Sequence, residues 1–200
     1  MKITALKYDS RKNHMVICTD SGRDFVLGFE DYAARKSLYI QGSDLSGEIL
    51  DITEYLENKT SARDKALKTL SYSSKTSKAL IRTLIQAGFC SEIATQTVLQ
   101  LKKDGYIDEK GYCSRCLEVY ISKGYGPLRI QSELIKKGFT SRMVEYTMGN
   151  DHTDYQEKLY GLMGKNIGKF KDYGAVYRYF FSRGYPCGMI SEVYEKIKNT

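Results

Sequence analysis

Two hundred residues, 42% hydrophobic and 28% charged, are long enough to bury a core and exclude a collagen-like fibre, a disordered tail and a disulfide-dense mini-protein. Lys and Arg number 31 against 24 Asp and Glu, a net charge of +7 that points to an acidic partner. The excess is uneven: residues 1–60 carry 8 basic and 10 acidic side chains, residues 61–200 carry 23 and 14.

The chain opens with alternating segments, Ile3 and Ala5 with Tyr8, Met15 to Cys18 and Phe25 to Leu27. Two turn-rich stretches, Asp9-Ser10-Arg11-Lys12-Asn13 and Asp20-Ser21-Gly22-Arg23, separate them, so residues 1–58 read as a small antiparallel β meander followed by a short helix near Glu30–Lys36. Three short strands are marginal alone and must lean on a helix or on the following domain. Ser43 is the expected N-cap of the next helix. Met1-Lys2-Ile3-Thr4-Ala5-Leu6-Lys7-Tyr8 lacks a signal's apolar stretch and cleavage site, and no apolar run reaches the roughly 18 residues of a membrane span. A cytoplasmic protein with no membrane partner is the expectation, and five cysteines, an odd count, fit reduced thiols there.

From about residue 60 the apolar period changes from two to about three and a half. Gly88-Phe89, Gly138-Phe139 and Gly184-Tyr185 follow one another at intervals of 50 and 46 positions. Each follows an apolar doublet, Leu84-Ile85, Leu134-Ile135 or Phe180-Phe181, with Leu80, Ile130 or Val176 one turn earlier and Ile93, Met143 or Met189 beyond. This is a helix with its apolar stripe turned inward, stopped by glycine, then an aromatic packing back on the stripe, then another helix. Thr76 or Ser77 caps the first of these helices, Ser91 caps its partner ending at Gly105, and a further helix runs from Asp108 to near Gly124. Pro127 opens the middle copy and Gly138 closes it. The reading is mainly α: a β meander, then three tandem three-helix repeats at 59–107, 108–150 and 151–200, forming an elongated curved array that suits an extended partner.

Little in the sequence carries catalysis. His14 and His152 lie in no catalytic pattern and read as surface residues, and no G-x-S-x-G elbow occurs. Cys113-Ser114-Arg115-Cys116 is a lone C-x-x-C whose thiols fall on the inward helical face beside Tyr112 and Val119, so packing is favoured over zinc or redox chemistry. Gly161-Leu162-Met163-Gly164-Lys165-Asn166 fails the phosphate-loop spacing. No cofactor or metal site is expected. The candidate contact residues are basic: Lys75, Lys78 and Arg82; Lys102 and Lys103; Lys123, Arg129, Lys136 and Lys137; and Arg178 and Arg183 among Tyr173, Tyr177, Tyr179 and Tyr185. Tyrosine beside arginine suits base stacking with phosphate neutralisation.

The run Lys123-Gly124-Tyr125-Gly126-Pro127-Leu128-Arg129-Ile130-Gln131-Ser132-Glu133-Leu134-Ile135-Lys136-Lys137-Gly138 resembles the central signature of the RecX regulatory proteins, G-x-G-P-x-[RK]-I-x-x-E-L-x-x-K-G. Ala66–Tyr72, Lys75–Leu80 and Gly105–Cys113 resemble three further motifs of that family, with Ala79 in place of its Glu and Cys113 in place of its Ala. The resemblance spans residues 60–150 well, 151–200 as a repeat pattern and the meander weakly. It implies a monomeric, non-enzymatic modulator that binds the RecA filament on single-stranded DNA and reduces recombinase, ATPase and co-protease activities. The same charges leave open a sequence-tolerant protein that binds single- or double-stranded DNA directly, without RecA.

Overall fold

A computed structural model describes residues 1–199; Thr200, the end of the 151–200 repeat, lies outside the described residues. The chain is mainly helical with an N-terminal sheet, and gathers into two compact units, one of residues 1–73 and 80–106, the other of 74–79 and 107–199.

In the first unit β1 (Ile3–Asp9), β2 (His14–Thr19) and β3 (Asp24–Gly28) pair antiparallel in the order β1-β2-β3. The registers Leu6↔Ile17↔Phe25 and Tyr8↔Met15↔Leu27 place alternate residues on one face. There Met15, Ile17, Phe25 and Leu27 are buried with Tyr39, Leu45 and Leu56, each fully buried aliphatic or aromatic side chain contributing about 1.5–3 kcal/mol. The short helix is α1 (Phe29–Ala33), and α2 (Glu48–Tyr72) runs for 25 residues, its buried Thr53 and Leu56 facing the sheet. An open strand edge would leave backbone donors unpaired. At β3 side chains of α2 take them: the N–H of Val26 donates to Glu57 Oε1 at 3.2 Å and that of Gly28 to Thr60 Oγ1 at 2.8 Å.

Two expectations fail here. Helix α2 starts after Gly47, whose φ of +53° sets the turn, and Ser43 Oγ instead donates to the carbonyl of Ile40. His14 is not on the surface; it is 7% exposed, with Nε2 3.5 Å from Asp64 Oδ1 of α2. Its partner on β3 is Gly28, which has no side chain to hold α2 away.

The remaining helices are α3 (Ser77–Gln86), α4 (Ser91–Lys103), α5 (Glu109–Ser122), α6 (Pro127–Lys137), α7 (Ser141–Gly149), α8 (Tyr155–Asn166), α9 (Tyr173–Ser182) and α10 (Cys187–Lys198). From α2 onward they fall in threes. Within each triplet the first helix packs on the third: α2 on α4, α5 on α7, α8 on α10. The second unit holds a core for each of its triplets, one around Ile130, Leu134, Phe139 and Val144, the other around Leu159, Phe180, Tyr185 and Ile190.

Among the described residues five helices stop the same way. The N–H groups of Phe89, Tyr106, Tyr125, Phe139 and Tyr185 reach back five residues to Leu84, Leu101, Tyr120, Leu134 and Phe180 at 3.0–3.3 Å, each after a glycine of positive φ. This is the Schellman motif, followed every time by an aromatic. Periodicity isolated three of these turns and missed the kinship of Gly105-Tyr106 and Gly124-Tyr125.

The doublets also divide. Leu84, Leu134 and Phe180 are buried, whereas Ile85, Ile135 and Phe181 are 44%, 42% and 51% exposed, because one residue further along a helix turns about 100° off the stripe. Ser91 is the first helical residue of α4 and Cys90 its uncapped N-cap, so the expected Ser91 cap is absent. Thr76 is the cap at α3, accepting from the N–H of Ala79 at 3.1 Å, and Asp108 caps α5 through Gly111 at 2.9 Å. Where Ala79 removes a capping-box carboxylate, Glu109 supplies one from α5, accepting from the N–H of Ser77 at 2.8 Å.

Cys113 and Cys116 are buried in the α5 core, and burial pushes both thiols up from 9.0. A thiol whose folded pKa lies above its unfolded value stabilises the fold below about pH 9, and this contribution is lost as pH rises through the folded value. We expect Ellman's reagent at pH 8 to modify exposed Cys90 and Cys187 in the native protein, and Cys18, Cys113 and Cys116 only on unfolding. Rapid native modification of Cys113 would contradict its burial.

Candidate partner interface

Helix α6 and the end of α9 meet at a joint built from two glycines. The N–H of Gly126 donates to the carbonyl of Arg183 at 2.8 Å and that of Leu128 to Gly184 at 3.1 Å. The approach is so close that a Cβ on Gly126 would strike the Gly184 carbonyl, and one on Gly184 the backbone of Arg129. A related contact joins the end of α6 to the start of α3. Thr76 Oγ1 donates to the carbonyl of Lys137 at 3.2 Å and would lie 2.6 Å from a Cβ on Gly138.

Two of the basic residues serve this joint. Arg183 donates from Nη1 to the carbonyls of Lys123 at 2.9 Å and Gly124 at 3.4 Å, placing a cation at the carbonyl end of α5, and stacks 4.9 Å over Tyr179. Arg129 stacks 4.0 Å over Tyr125 and donates to the carbonyl of Ser182 at 3.3 Å. Each arginine thus ties one helix triplet of the second unit to the other, and both are half-buried. Tyr185, grouped with them as a stacking candidate, is buried in the third triplet.

The other basic candidates lie outward. Lys123 is exposed, its ammonium 5.8 Å from the Tyr120 ring. Lys136 pairs with Glu133 at 3.4 Å. Lys137 lies 5.6 Å over Tyr112, where burial works against its charge but a hydrogen bond with the Tyr112 hydroxyl and the ionisable Tyr112, Cys116 and Tyr120 groups outweigh it and its pKa rises. In the second unit Lys75 is half-buried before α3 and Lys78 is exposed on its first turn. In the first unit Arg82, Lys102 and Lys103 are exposed. Arg178 is exposed on α9, the helix that also carries Tyr173, Tyr177 and Phe181. Exposed Lys171, Lys198 and the Lys110–Tyr146 pair, 5.7 Å apart, were not singled out by sequence because their neighbours come from other helices.

This is a helical-repeat protein with an N-terminal sheet, whose exposed polar chemistry is cations beside aromatic rings. No protein-family model matches it. It is 24% identical to a regulatory protein RecX of Clostridium botulinum over 214 residues, covering 99% of this chain and 97% of that one. Against the RecX of Finegoldia magna it is 27% identical over 164 residues, 80% and 74% of the two chains. A crystal structure of a regulatory protein RecX superposes over 100% of this chain and 99% of that one with a TM-score of 0.77 at 18% identity. The RecX structure from Lactobacillus salivarius covers 72% of this chain and 99% of its own with a TM-score of 0.65 at 19% identity. Over its whole length the chain is similar to RecX regulatory proteins, and its fold is the one their crystal structures show.

Proposed function

We propose that the protein binds the RecA filament on single-stranded DNA and inhibits its recombinase, ATPase and co-protease activities, acting in the cytoplasm as a monomer without catalysis of its own. What carries this reading is likeness to curated RecX regulators along the whole of both chains, joined to the Lys123–Gly138 run. Electrostatics supports it. Lys78, Arg82, Lys102, Lys103, Lys123 and Lys136 are exposed basic side chains, as association with a polyanionic assembly requires. None of the described helices is long and apolar enough to cross a membrane.

Retention on surface-bound RecA filaments assembled on single-stranded DNA, compared with the bare strand, tests the proposal. Retention on filaments at concentrations that leave the bare strand empty is expected. Equal retention on both would replace a filament regulator with a DNA-binding protein.

A further inference from the structure

The third triplet carries an aromatic row in which Tyr177 and Tyr194 pack against the core while Tyr173 and Phe181 stand outside it. On α9, Val176 and Phe180 point inward, while Tyr173, Tyr177 and Phe181 recur every fourth residue on another face. Their centroids are 6.1 Å apart from Tyr173 to Tyr177 and 5.7 Å from Tyr177 to Phe181, the latter pair within 10° of parallel. Tyr194 of α10 extends the row, 4.6 Å from Tyr173. Phe181 is 51% exposed and Tyr173 38%. The Tyr177 hydroxyl donates to Cys187 Sγ at 2.9 Å, which holds the middle ring in place.

The charge around the row is mainly positive, with Glu195 beside Tyr194 as the acid left facing solvent on α10. Between residues 165 and 183 stand Lys165, Lys169, Lys171, Arg178 and Arg183 against a single acid, Asp172, whose carboxylate is occupied by the N–H of Ala175 at 2.7 Å. Lys171 immediately precedes that cap, and Lys198 follows Tyr194 by one helical turn. The Arg178 guanidinium folds back over Gly174, 3.2 Å from where a Cβ would lie, on the helix that carries Tyr173 and Phe181. On α10, Glu192 is turned to Gln156 at 3.3 Å. Exposed rings beside cations complement a polyanion that carries flat apolar rings of its own. A second copy of this chain would bring like charge to the face, and an apolar peptide would leave the cations unused.

We propose that this α9–α10 face binds single-stranded nucleic acid, with bases stacking on Tyr173 and Phe181 while Lys171, Arg178 and Lys198 neutralise phosphates. A duplex keeps its base faces inside its own stack, so the face selects single strands. The inference goes beyond filament regulation because it requires no recombinase.

The test is fluorescence anisotropy with the full chain, a labelled oligo(dT) of roughly 20 nucleotides, an abasic strand of equal length and charge, and a duplex. Oligo(dT) is expected to bind about tenfold or more tighter than the abasic strand. Phe181→Ala and Tyr173→Ala each weaken oligo(dT) about tenfold while leaving abasic binding and helicity unchanged, and Phe181→Tyr restores it. Phe181→Leu, which keeps apolar bulk and removes the ring, gives the same loss should the alanine variant fold poorly. Arg178→Gln weakens both strands alike and lowers the logarithmic salt slope by about 0.7. Equal affinity for abasic and base-bearing strands, duplex binding as tight as oligo(dT), or unchanged binding by folded Phe181→Leu would overturn the proposal. So would self-association that Phe181→Ala abolishes, which would make the face an interface between copies.

Discussion

Gly184→Ala is expected to lower the melting temperature by about 10 °C, whereas Gly88→Ala lowers it by about 3 °C. The two glycines have nearly the same backbone, φ +86° and +96°, and both end helices in the same motif. They differ in what surrounds them. A Cβ on Gly88 meets nothing within 4 Å, so alanine there costs the left-handed strain alone, about 1 kcal/mol. At Gly184 the same Cβ would enter the backbone of Arg129, and parting α6 from α9 adds about 1–3 kcal/mol of overpacking. For a chain of this size each kcal/mol moves the melting temperature by about 2–4 °C. Thermal circular dichroism on both variants decides the matter, and equal shifts would mean that the Gly126–Gly184 approach is not made.

Charge reversal at Lys78, Lys123 and Lys136 to Glu should weaken filament binding by about tenfold or more at 0.1 M salt with melting temperature unchanged, since all three side chains are exposed. The difference should shrink at higher ionic strength, as screened charges require. Arg129 cannot serve in such a set. Its guanidinium stacks on Tyr125 and bonds the Ser182 carbonyl, so Arg129→Glu would lose binding by breaking the joint rather than by removing a contact. Unchanged binding by the triple variant would move the contact surface elsewhere.

Features that depend on a few consecutive residues were legible in the sequence. The helix stops at Gly88, Gly138 and Gly184 were visible because a left-handed turn followed by an aromatic leaves a local mark, and the Pro127 start and Asp108 cap for the same reason. Features set by distant residues were not. Nothing near Gly126 announces Gly184, nothing near Ser77 announces the Glu109 carboxylate, and His14 is buried because its cross-strand neighbour Gly28 lets α2 approach. The basic candidates follow the same division. Eight stay exposed as helical spacing implied, while Arg129 and Arg183 are drawn inward by carbonyls more than fifty residues away. Phe181 was hidden in an apolar doublet, and only its exposure separates it from Phe180.

The most direct measurement of the central claim is RecA ATP hydrolysis on single-stranded DNA as this protein is added, alongside its binding to the bare strand across a salt series. The account predicts inhibition well below the concentration that coats the bare strand. Inhibition that begins only as the strand saturates, with the same salt dependence as bare-strand binding, would contradict it and reduce the effect to competition for DNA.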